Sequence, residues 1–189
     1  MEAGQGKTTR DADATRRRIL EAGTEEFSAA GPAGGRFARI AERARANSRM
    51  IYAYYGNKDG LFDAVLEHHV LLAQNAVGLD PTDLPGYAQQ VFDVFRDNPR
   101  LVRLTLWQYL ERADLTRNMP AVTRAVADKI STVARAQAEG LVSDRLPADL
   151  LLDHILAPTM GNLAGPPRWT EEERAALGRS VAALVKPSR

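Results

Sequence analysis

The stretch from Arg36 to Gly60 restricts the fold of this chain more than any other, because two short helical patterns lie only a few residues apart. Apolar residues at helical spacing predict a first short helix over about residues 36–44. Asn47 is a good N-cap for a second helix, which Gly56 would end, and Asn57 can cap a longer third helix. Strand signals are absent, so the sequence predicts an all-α protein of about nine helices.

The same stretch is strongly basic. Residues 1–60 hold 11 Lys/Arg and 8 Asp/Glu, a net charge of +3, whereas residues 61–189 hold 14 and 16, a net charge of −2. Only the front of the chain is therefore expected to meet a polyanion. A compact basic helical unit of this size suits a DNA groove. Its charges between residues 36 and 58 are Arg36, Arg39, Arg43, Arg45, Arg49 and Lys58, against the single acid Glu42.

Several other classes of protein are excluded or disfavoured. The chain has no cysteine, which excludes disulfides, thiolate metal sites and cysteine catalysis and fits a cytoplasmic protein. No run approaches the roughly 20 apolar residues of a membrane-spanning helix, and the first residues lack the apolar core of a secretory signal. The spacing of His68, His69 and His154 is unlike a metal site, and no acid–base pair or nucleophile arrangement indicates catalysis. We therefore expect no metal, no cofactor, no membrane partner and no enzymatic activity.

The patterns divide the chain into an arm and two domains. Residues 1–12 are small, polar and charged, which predicts a flexible arm. Residues 13–60 hold the basic stretch and three helices, and residues 61–189 hold the remaining helices. Breaks are expected at Gly31–Gly35, and Pro158 is expected to kink its helix. The predicted helices run over about 13–30, 36–44, 47–55, 57–77, 87–98, 100–113, 118–140, 149–163 and 171–186.

Four sequence motifs, in this order and spacing, resemble the TetR family of bacterial transcriptional regulators. They are Arg18-Ile19-Leu20-Glu21-Ala22 with Phe27 and Gly31, then Ile40-Ala41-Glu42-Arg43-Ala44, Ile51-Tyr52-Ala53-Tyr54-Tyr55 and Gly56-Asn57-Lys58-Asp59-Gly60-Leu61. The resemblance covers about the first third of the chain. It implies an N-terminal three-helix helix-turn-helix DNA-binding domain and a C-terminal helical domain for ligand binding and dimerisation.

One departure from the family concerns the tight turn, which usually carries Gly followed by an aliphatic residue. This chain has Arg45-Ala46 there. If Arg45 adopts the left-handed conformation, the backbone costs roughly 1 kcal/mol. The start of the helix at residue 36 also lacks the usual Ser or Thr cap, because Gly34 and Gly35 precede it.

The predicted base-reading residues lie on one face of the helix that Asn47 caps. At about 100° per residue, Ile51 and Tyr55 point to the three-helix core, whereas Arg49 and Ala53 point outward. An Arg can fork onto guanine O6 and N7, and a small Ala allows close approach to a thymine methyl. We predict that the bases are read by Ser48, Arg49, Met50 and Ala53.

A second set of residues is predicted to bind DNA phosphates. The resemblance implies this role for Tyr52, Tyr54 and Lys58, and a lysine at a helix N-terminus is well placed for an anion. Arg36, Arg39 and Arg45 add positive charge beside them. Arg43 is left out, because it can pair with Glu42 or Glu26. The alternative for the whole set is that the tyrosines are core aromatics and the arginines a solvated face.

The rear of the chain carries two further predictions. Aromatic residues between helices predict an apolar ligand pocket lined by Tyr87, Phe92, Phe95, Trp107 and Tyr109. The last two helices hold more apolar surface than a monomer needs to expose, which predicts a dimer interface at Leu151, Leu152, Ile155, Leu177, Val181 and Leu184. Plain core packing is the alternative for both sets.

Together these features predict a homodimeric, sequence-specific regulator of transcription. We expect a repressor that a small apolar or aromatic ligand releases from a palindromic double-stranded DNA operator. Two alternatives stay open: a DNA-binding regulator without a ligand switch, and an all-α enzyme.

Overall fold

The computed structural model describes residues 5–111, 119–160 and 169–187, with side chains from residue 11 onward. These parts of the chain contain helices and no strand, which confirms the all-α prediction. The helices are α1 (Gln5–Gly34), α2 (Phe37–Ala44), α3 (Ser48–Tyr55), α4 (Lys58–Ala76), α5 (Leu84–Asp97), α6 (Pro99–Glu111), α7 (Pro120–Ala138), α8 (Ala148–Leu156), a short 3-10 helix (Ala157–Met160) and α9 (Glu171–Val185).

The helices form two compact units. Within the described residues, the first unit contains 5–70, 100–111 and 119, and the second contains 71–99, 120–160 and 169–187. This grouping differs from the predicted division at residue 60, because the start of α4 and nearly all of α6 pack with the N-terminal helices. Residues 5–12 also differ from the predicted flexible arm, since they continue α1.

The core of the first unit forms where apolar stripes of α1, α2, α3 and α4 meet. Phe27 of α1 and Phe62 of α4 contact edge to face, with 5.4 Å between ring centroids. Ile40 of α2 and Ile51 of α3 are fully buried, as helical spacing predicts. The core side chains therefore hold α1, α2 and α3 together as one group, the three-helix head, and use only the Ile51 side of α3.

The C-terminal end of α1 is kinked at Gly31, whose φ is 71° and ψ 173°. Trp107 of α6 packs against this glycine, and its ring carbons lie 2.9 Å from the place of a Gly31 Cβ. Two residues on, the Ala33 N–H donates to Glu111 Oε2 at 3.0 Å, and the Ala33 carbonyl accepts from Lys58 Nζ at 2.9 Å. The predicted break at Gly31 is therefore a kink that joins α1 to α6 and to the start of α4.

The second unit is built around α5, against which α8 and α9 pack, while α7 packs against α8. Asp83 caps α5 and Thr170 caps α9, each accepting a backbone N–H of the first turn. Pro158 lies beyond the end of α8, in the 3-10 helix, rather than at a kink within a longer α-helix. The predicted end of that helix, residues 161–163, lies outside the described residues.

The predicted dimer-interface residues lie in the core of a single copy of the chain. Leu151, Leu152, Ile155, Leu177 and Val181 are buried within the second unit, and Leu184 is partly buried against them. The five buried side chains therefore offer almost no surface to a second copy, whereas a contact through Leu184 stays a prediction. The apolar stripes of α8 and α9 face α5, and an apolar stripe alone cannot show whether its partner is the same chain or another.

Candidate nucleic-acid interface

The outer face of α3 presents the four predicted base-reading side chains. Ser48, Arg49, Met50 and Ala53 are all exposed, while Ile51 on the opposite side is buried. Asn47 caps the helix as predicted, since its Oδ1 accepts the Arg49 N–H at 2.9 Å. The helix therefore begins with its first polar side chains directed away from the core.

The turn before α3 holds Arg45 in the left-handed conformation, with φ 49° and ψ 44°. Its N–H donates to the Glu42 carbonyl at 3.1 Å, which closes the end of α2. The Arg45 side chain is exposed and makes no ion pair within the described residues. The strain foreseen for an arginine in this turn is therefore present.

A buried carboxylate on α1 organises the start of α2. Glu26 is only 3% exposed, and its Oε1 accepts the Arg36 N–H at 3.1 Å. This bond satisfies the N–H of Arg36, the N-cap residue of α2, whose own side chain makes no capping bond. From the sequence, Glu26 was expected only as a possible partner of Arg43. A carboxylate directly before the buried Phe27 was the available signal.

Glu26 also engages two of the basic side chains of α2. Arg43 Nη1 lies 3.1 Å from Glu26 Oε2, and Arg39 Nη1 lies 3.5 Å from Oε1. Arg43 therefore has the partner suggested by the sequence. Arg39, predicted to bind phosphate, shares its charge with this carboxylate, although half of its side chain is exposed.

The remaining basic side chains divide by their partners. Arg36, Arg45 and Arg49 are exposed and have no ion pair among the described residues. Lys58 uses one of its three N–H donors on the Ala33 carbonyl and keeps two for another acceptor. The charge most available to a polyanion is therefore concentrated at the ends of α2 and the start of α3.

Arg18 is a supporting residue that sequence reasoning missed. Its Nε donates to the Ala44 carbonyl at 3.0 Å, and Nη2 contacts Thr15 Oγ1 at 3.0 Å. A guanidinium at the last carbonyls of α2 satisfies an acceptor that the helix leaves open and suits the helix dipole. Arg18 thus fixes the end of α2 directly before the turn at Arg45.

The three tyrosines of α3 occupy different surroundings. Tyr52 is half exposed and packs edge to face on Phe37, at 4.7 Å between ring centroids. Arg16 lies 4.9 Å from the centre of the Tyr54 ring, a cation–π distance. Tyr55, predicted in the core, is only half buried, and this burial raises the pKa of its phenol. Tyr52 is the one with the greatest access to a phosphate.

The opening beside Tyr54 and Tyr55 is acidic rather than basic. This groove of about 720 Å³ includes Asp59, Asp63 and Glu67 of α4 among its lining residues. Three carboxylates disfavour a phosphate, so the anion-binding surface does not extend into it.

The predicted ligand-pocket residues are divided between the two units. Tyr87 and Phe92 are buried in the core of the second unit, where the Phe92 ring packs at a tilt of 60° against Trp169, with 5.0 Å between ring centroids. Phe95 is half buried. Trp107 and Tyr109 belong to α6 in the first unit. Trp107 packs on Gly31, and Tyr109 is 56% exposed. These five residues therefore do not line one pocket within the second unit. A pocket of that kind would require α5 and α6 to belong to the same core, and they belong to different units.

Two buried oxygen atoms of the second unit, Gln74 Oε1 and Glu173 Oε2, have no hydrogen-bond partner within the described residues. The described residues also contain no group of three or more His, Asp or Glu side chains that could hold a metal ion.

Comparison with known proteins decides the family. Residues 83–186 match the family model described as tetracyclin repressor-like, C-terminal domain, and residues 19–65 match that of bacterial regulatory proteins, tetR family. The first match covers more than half of the chain. The chain belongs to the TetR family. Both the resemblance seen in the N-terminal motifs and the predicted architecture are thereby confirmed.

Individual TetR-family relatives extend over most of the chain. The HTH-type transcriptional repressor SCO4008 of Streptomyces coelicolor is 40% identical over 151 residues, 78% of this chain and 78% of that protein. The HTH-type transcriptional repressor NicS of Pseudomonas putida is 31% identical over 160 residues, 79% of this chain and 74% of that protein. The crystal structure of the transcriptional regulator SCO4942 of S. coelicolor has a TM-score of 0.73 at 33% identity, covering 92% of this chain and 99% of that one.

TetR-family proteins are transcriptional regulators, not enzymes, and they bind DNA operators as dimers. The predictions of a DNA-binding regulator and of a non-enzyme are therefore confirmed at the level of the family. No helix in the described ranges is long and apolar enough to cross a membrane.

Proposed function

We propose that this protein is a cytoplasmic repressor that binds a palindromic operator as a homodimer and leaves it when a small organic ligand binds the second unit. The observation that carries the proposal is the exposed face of α3, on which the Arg49 side chain has no protein partner among the described residues. A short exposed helix behind a tight turn fits the major groove. The relatives named as repressors support repression rather than activation of transcription.

Each side chain at this face has a distinct role in the proposal. Arg49 forks onto a guanine, and Ser48, Met50 and Ala53 contact neighbouring base edges. Arg36, Arg45, Tyr52 and Lys58 hold phosphates and set the register of α3 in the groove. Arg39 and Tyr54 contribute less, because Glu26 and Arg16 already occupy them.

One copy of this head reads only a few base pairs, so two copies are needed for a specific site. Since the apolar stripes of α8 and α9 are used within one copy, the proposed dimer contact is made by their outer faces. Leu150 of α8 is 44% exposed, and Ser180 and Ala183 of α9 are exposed and small. Small side chains allow two helices to approach closely.

Selection from a random pool of DNA duplexes tests the DNA-reading part of the proposal. The wild-type protein should retain a two-fold symmetric sequence. Arg49→Ala should lose about 1–3 kcal/mol of affinity for it and accept any base at one position of each half-site. Arg124→Ala, at an exposed arginine of α7, is the control and should match the wild type.

An equal loss of affinity on every sequence would show that Arg49 binds a phosphate rather than a base. Release by a small molecule is tested separately, by adding a metabolite library to the complex of protein and selected operator. If no compound releases the DNA or raises the melting temperature, the regulator works without a ligand switch.

A further inference from the structure

Lys129 has unusual surroundings for a lysine. It lies on α7 in the second unit and is half buried, with Nζ 5.5 Å from the centre of the Tyr87 ring. The face of the Tyr87 ring is its cation–π partner, and among the described residues no carboxylate lies within 4.0 Å of this ammonium. A partly buried cation is normally paired with an acid, because removal from water is costly. The position that an acid would occupy next to Lys129 is not filled by a described residue.

Tyr87 offers a second unused donor beside Lys129. Its side chain is 2% exposed, and burial raises the pKa of its phenol to about 12, so the hydroxyl stays protonated. The hydroxyl makes no hydrogen bond within the described part of the chain. The contact with Lys129 is made through the ring, and no described acceptor meets either the N–H groups of Lys129 or the O–H of Tyr87.

Burial also lowers the pKa of the Lys129 amine, which means that its charged form is poorly solvated where it stands. A bound anion would reverse this effect, because an opposite charge at short range favours the ammonium. Phe92 and Trp169 belong to the same core region as Tyr87. An apolar or aromatic body attached to the anion would therefore find compatible side chains nearby.

We propose that Lys129 and Tyr87 bind the anionic group of a small apolar or aromatic molecule, so that the effector of this regulator is an organic anion. Lys129 supplies charge and N–H donors, and the Tyr87 hydroxyl supplies a second donor. The inference rests on the proposed ligand switch for its biological meaning, but anion binding at these residues is testable without it.

Two dyes that differ by one charged group provide the test. 8-Anilinonaphthalene-1-sulfonate is an aromatic anion, and N-phenyl-1-naphthylamine has the same scaffold without the sulfonate. Fluorescence titration of the full-length protein at fixed ionic strength gives the ratio of the two affinities. The wild type should bind the sulfonate more tightly than the neutral dye.

Substitutions at Lys129 then assign the preference. Lys129→Met keeps the length of the side chain and should weaken sulfonate binding by about tenfold or more, with little change for the neutral dye. Lys129→Arg should keep the preference. Lys186→Met, at an exposed lysine after α9, should behave as the wild type. Tyr87→Phe should lower sulfonate affinity by a smaller factor.

An unchanged ratio of affinities in Lys129→Met would overturn the anion site, as would a wild-type protein that binds neither dye saturably. The second result would mean that Lys129 packs on Tyr87 only to reach solvent with its ammonium. Adding operator DNA separates the two proposals. If the sulfonate binds in a Lys129-dependent way but does not release the DNA, the anion site is supported and the ligand switch is contradicted. If only the neutral dye releases the DNA, the ligand switch is supported and the anion site is contradicted.

Discussion

Arg45 is the residue at which backbone stability and side-chain function make opposite demands. A glycine would occupy its left-handed conformation without strain, whereas an arginine costs roughly 1 kcal/mol there. The Arg45 side chain does not offset this cost within the described residues, because it is exposed and makes no ion pair. Strain of this kind is common where function requires a particular side chain. We therefore interpret Arg45 as a phosphate contact next to α3.

Arg45→Gly should make the free protein more stable and bind DNA less well. Relief of strain should raise the free energy of unfolding by about 0.5–1 kcal/mol, after the entropy of glycine in the unfolded chain is subtracted. Loss of one phosphate contact per copy should lower affinity on all sequences and reduce the slope of log K against log salt by about 0.9 per copy. Chemical denaturation and titration at several salt concentrations measure the two effects.

Arg45→Asn is the matched variant, since asparagine tolerates the left-handed conformation but carries no charge. It should share the loss of DNA affinity. If both variants bind DNA with the affinity and salt dependence of the wild type, Arg45 does not contact a phosphate.

The single residues also show how far the sequence can be interpreted. The outward face of α3 followed from Asn47 and helical spacing alone, because both are local properties. The pairing of Arg39 with Glu26 did not follow. It depends on the position of a buried acid 13 residues earlier in the chain, which is set by packing between helices.

Among the helices, the C-terminal end of α1 carries an unusual number of connections. Arg100 of α6 pairs with Glu21 of α1 at 2.9 Å, and Arg103 donates to the Ser28 carbonyl. Glu111 and Lys58 then meet the N–H and the carbonyl of Ala33. The kink at Gly31 is what turns these Ala33 groups away from the regular helix. The contact between the end of α6 and the end of α1 therefore depends on the geometry of one glycine, whereas Arg100 and Arg103 hold α6 to residues before the kink.

Gly31→Ala should destabilise the first unit by about 1–3 kcal/mol. The positive φ disfavours any Cβ, and the added methyl would meet the Trp107 ring 2.9 Å away. Thermal unfolding measures the loss, and a red shift of Trp107 fluorescence would report displacement of its ring. Gly34→Ala is the control, because that glycine has no positive φ and its added methyl would meet only the Ala30 Cβ, at 3.3 Å. Equal stability of both variants would show that Gly31 does not fix the kink.

The helices themselves were predicted more reliably than their surroundings. The cap at Asn47 is a local signal and appears where expected. Most positions of α6 are apolar, a pattern that favours a helix buried on all sides. Its end instead exposes Leu110, which is 76% accessible. Composition shows that a helix is apolar, but the depth at which it packs depends on neighbours distant in the sequence.

For the whole molecule, the decisive question is which surface joins two copies. The apolar stripes of α8 and α9 predicted a dimer interface, but most of their side chains are buried against α5 within one copy. What remains on α8 is a more modest outer face around Leu150, which includes the exposed His154 one turn later. A dimer made through this face would be sensitive to a single charge, because few apolar side chains are available to compensate.

Leu150→Glu should therefore dissociate the dimer without unfolding the chain. The side chain is 44% exposed in one copy, so a glutamate is tolerated in the monomer. Two buried like charges across a symmetric contact, one from each copy, would weaken association by about tenfold or more. Sedimentation at micromolar concentration should show monomers, and affinity for a full operator should fall towards that for a half-site. Leu141→Glu, at a leucine 50% exposed outside α8 and α9, is the matched control and should remain dimeric. A Leu150→Glu protein that stays dimeric and keeps its operator affinity would place the contact between copies elsewhere on the chain.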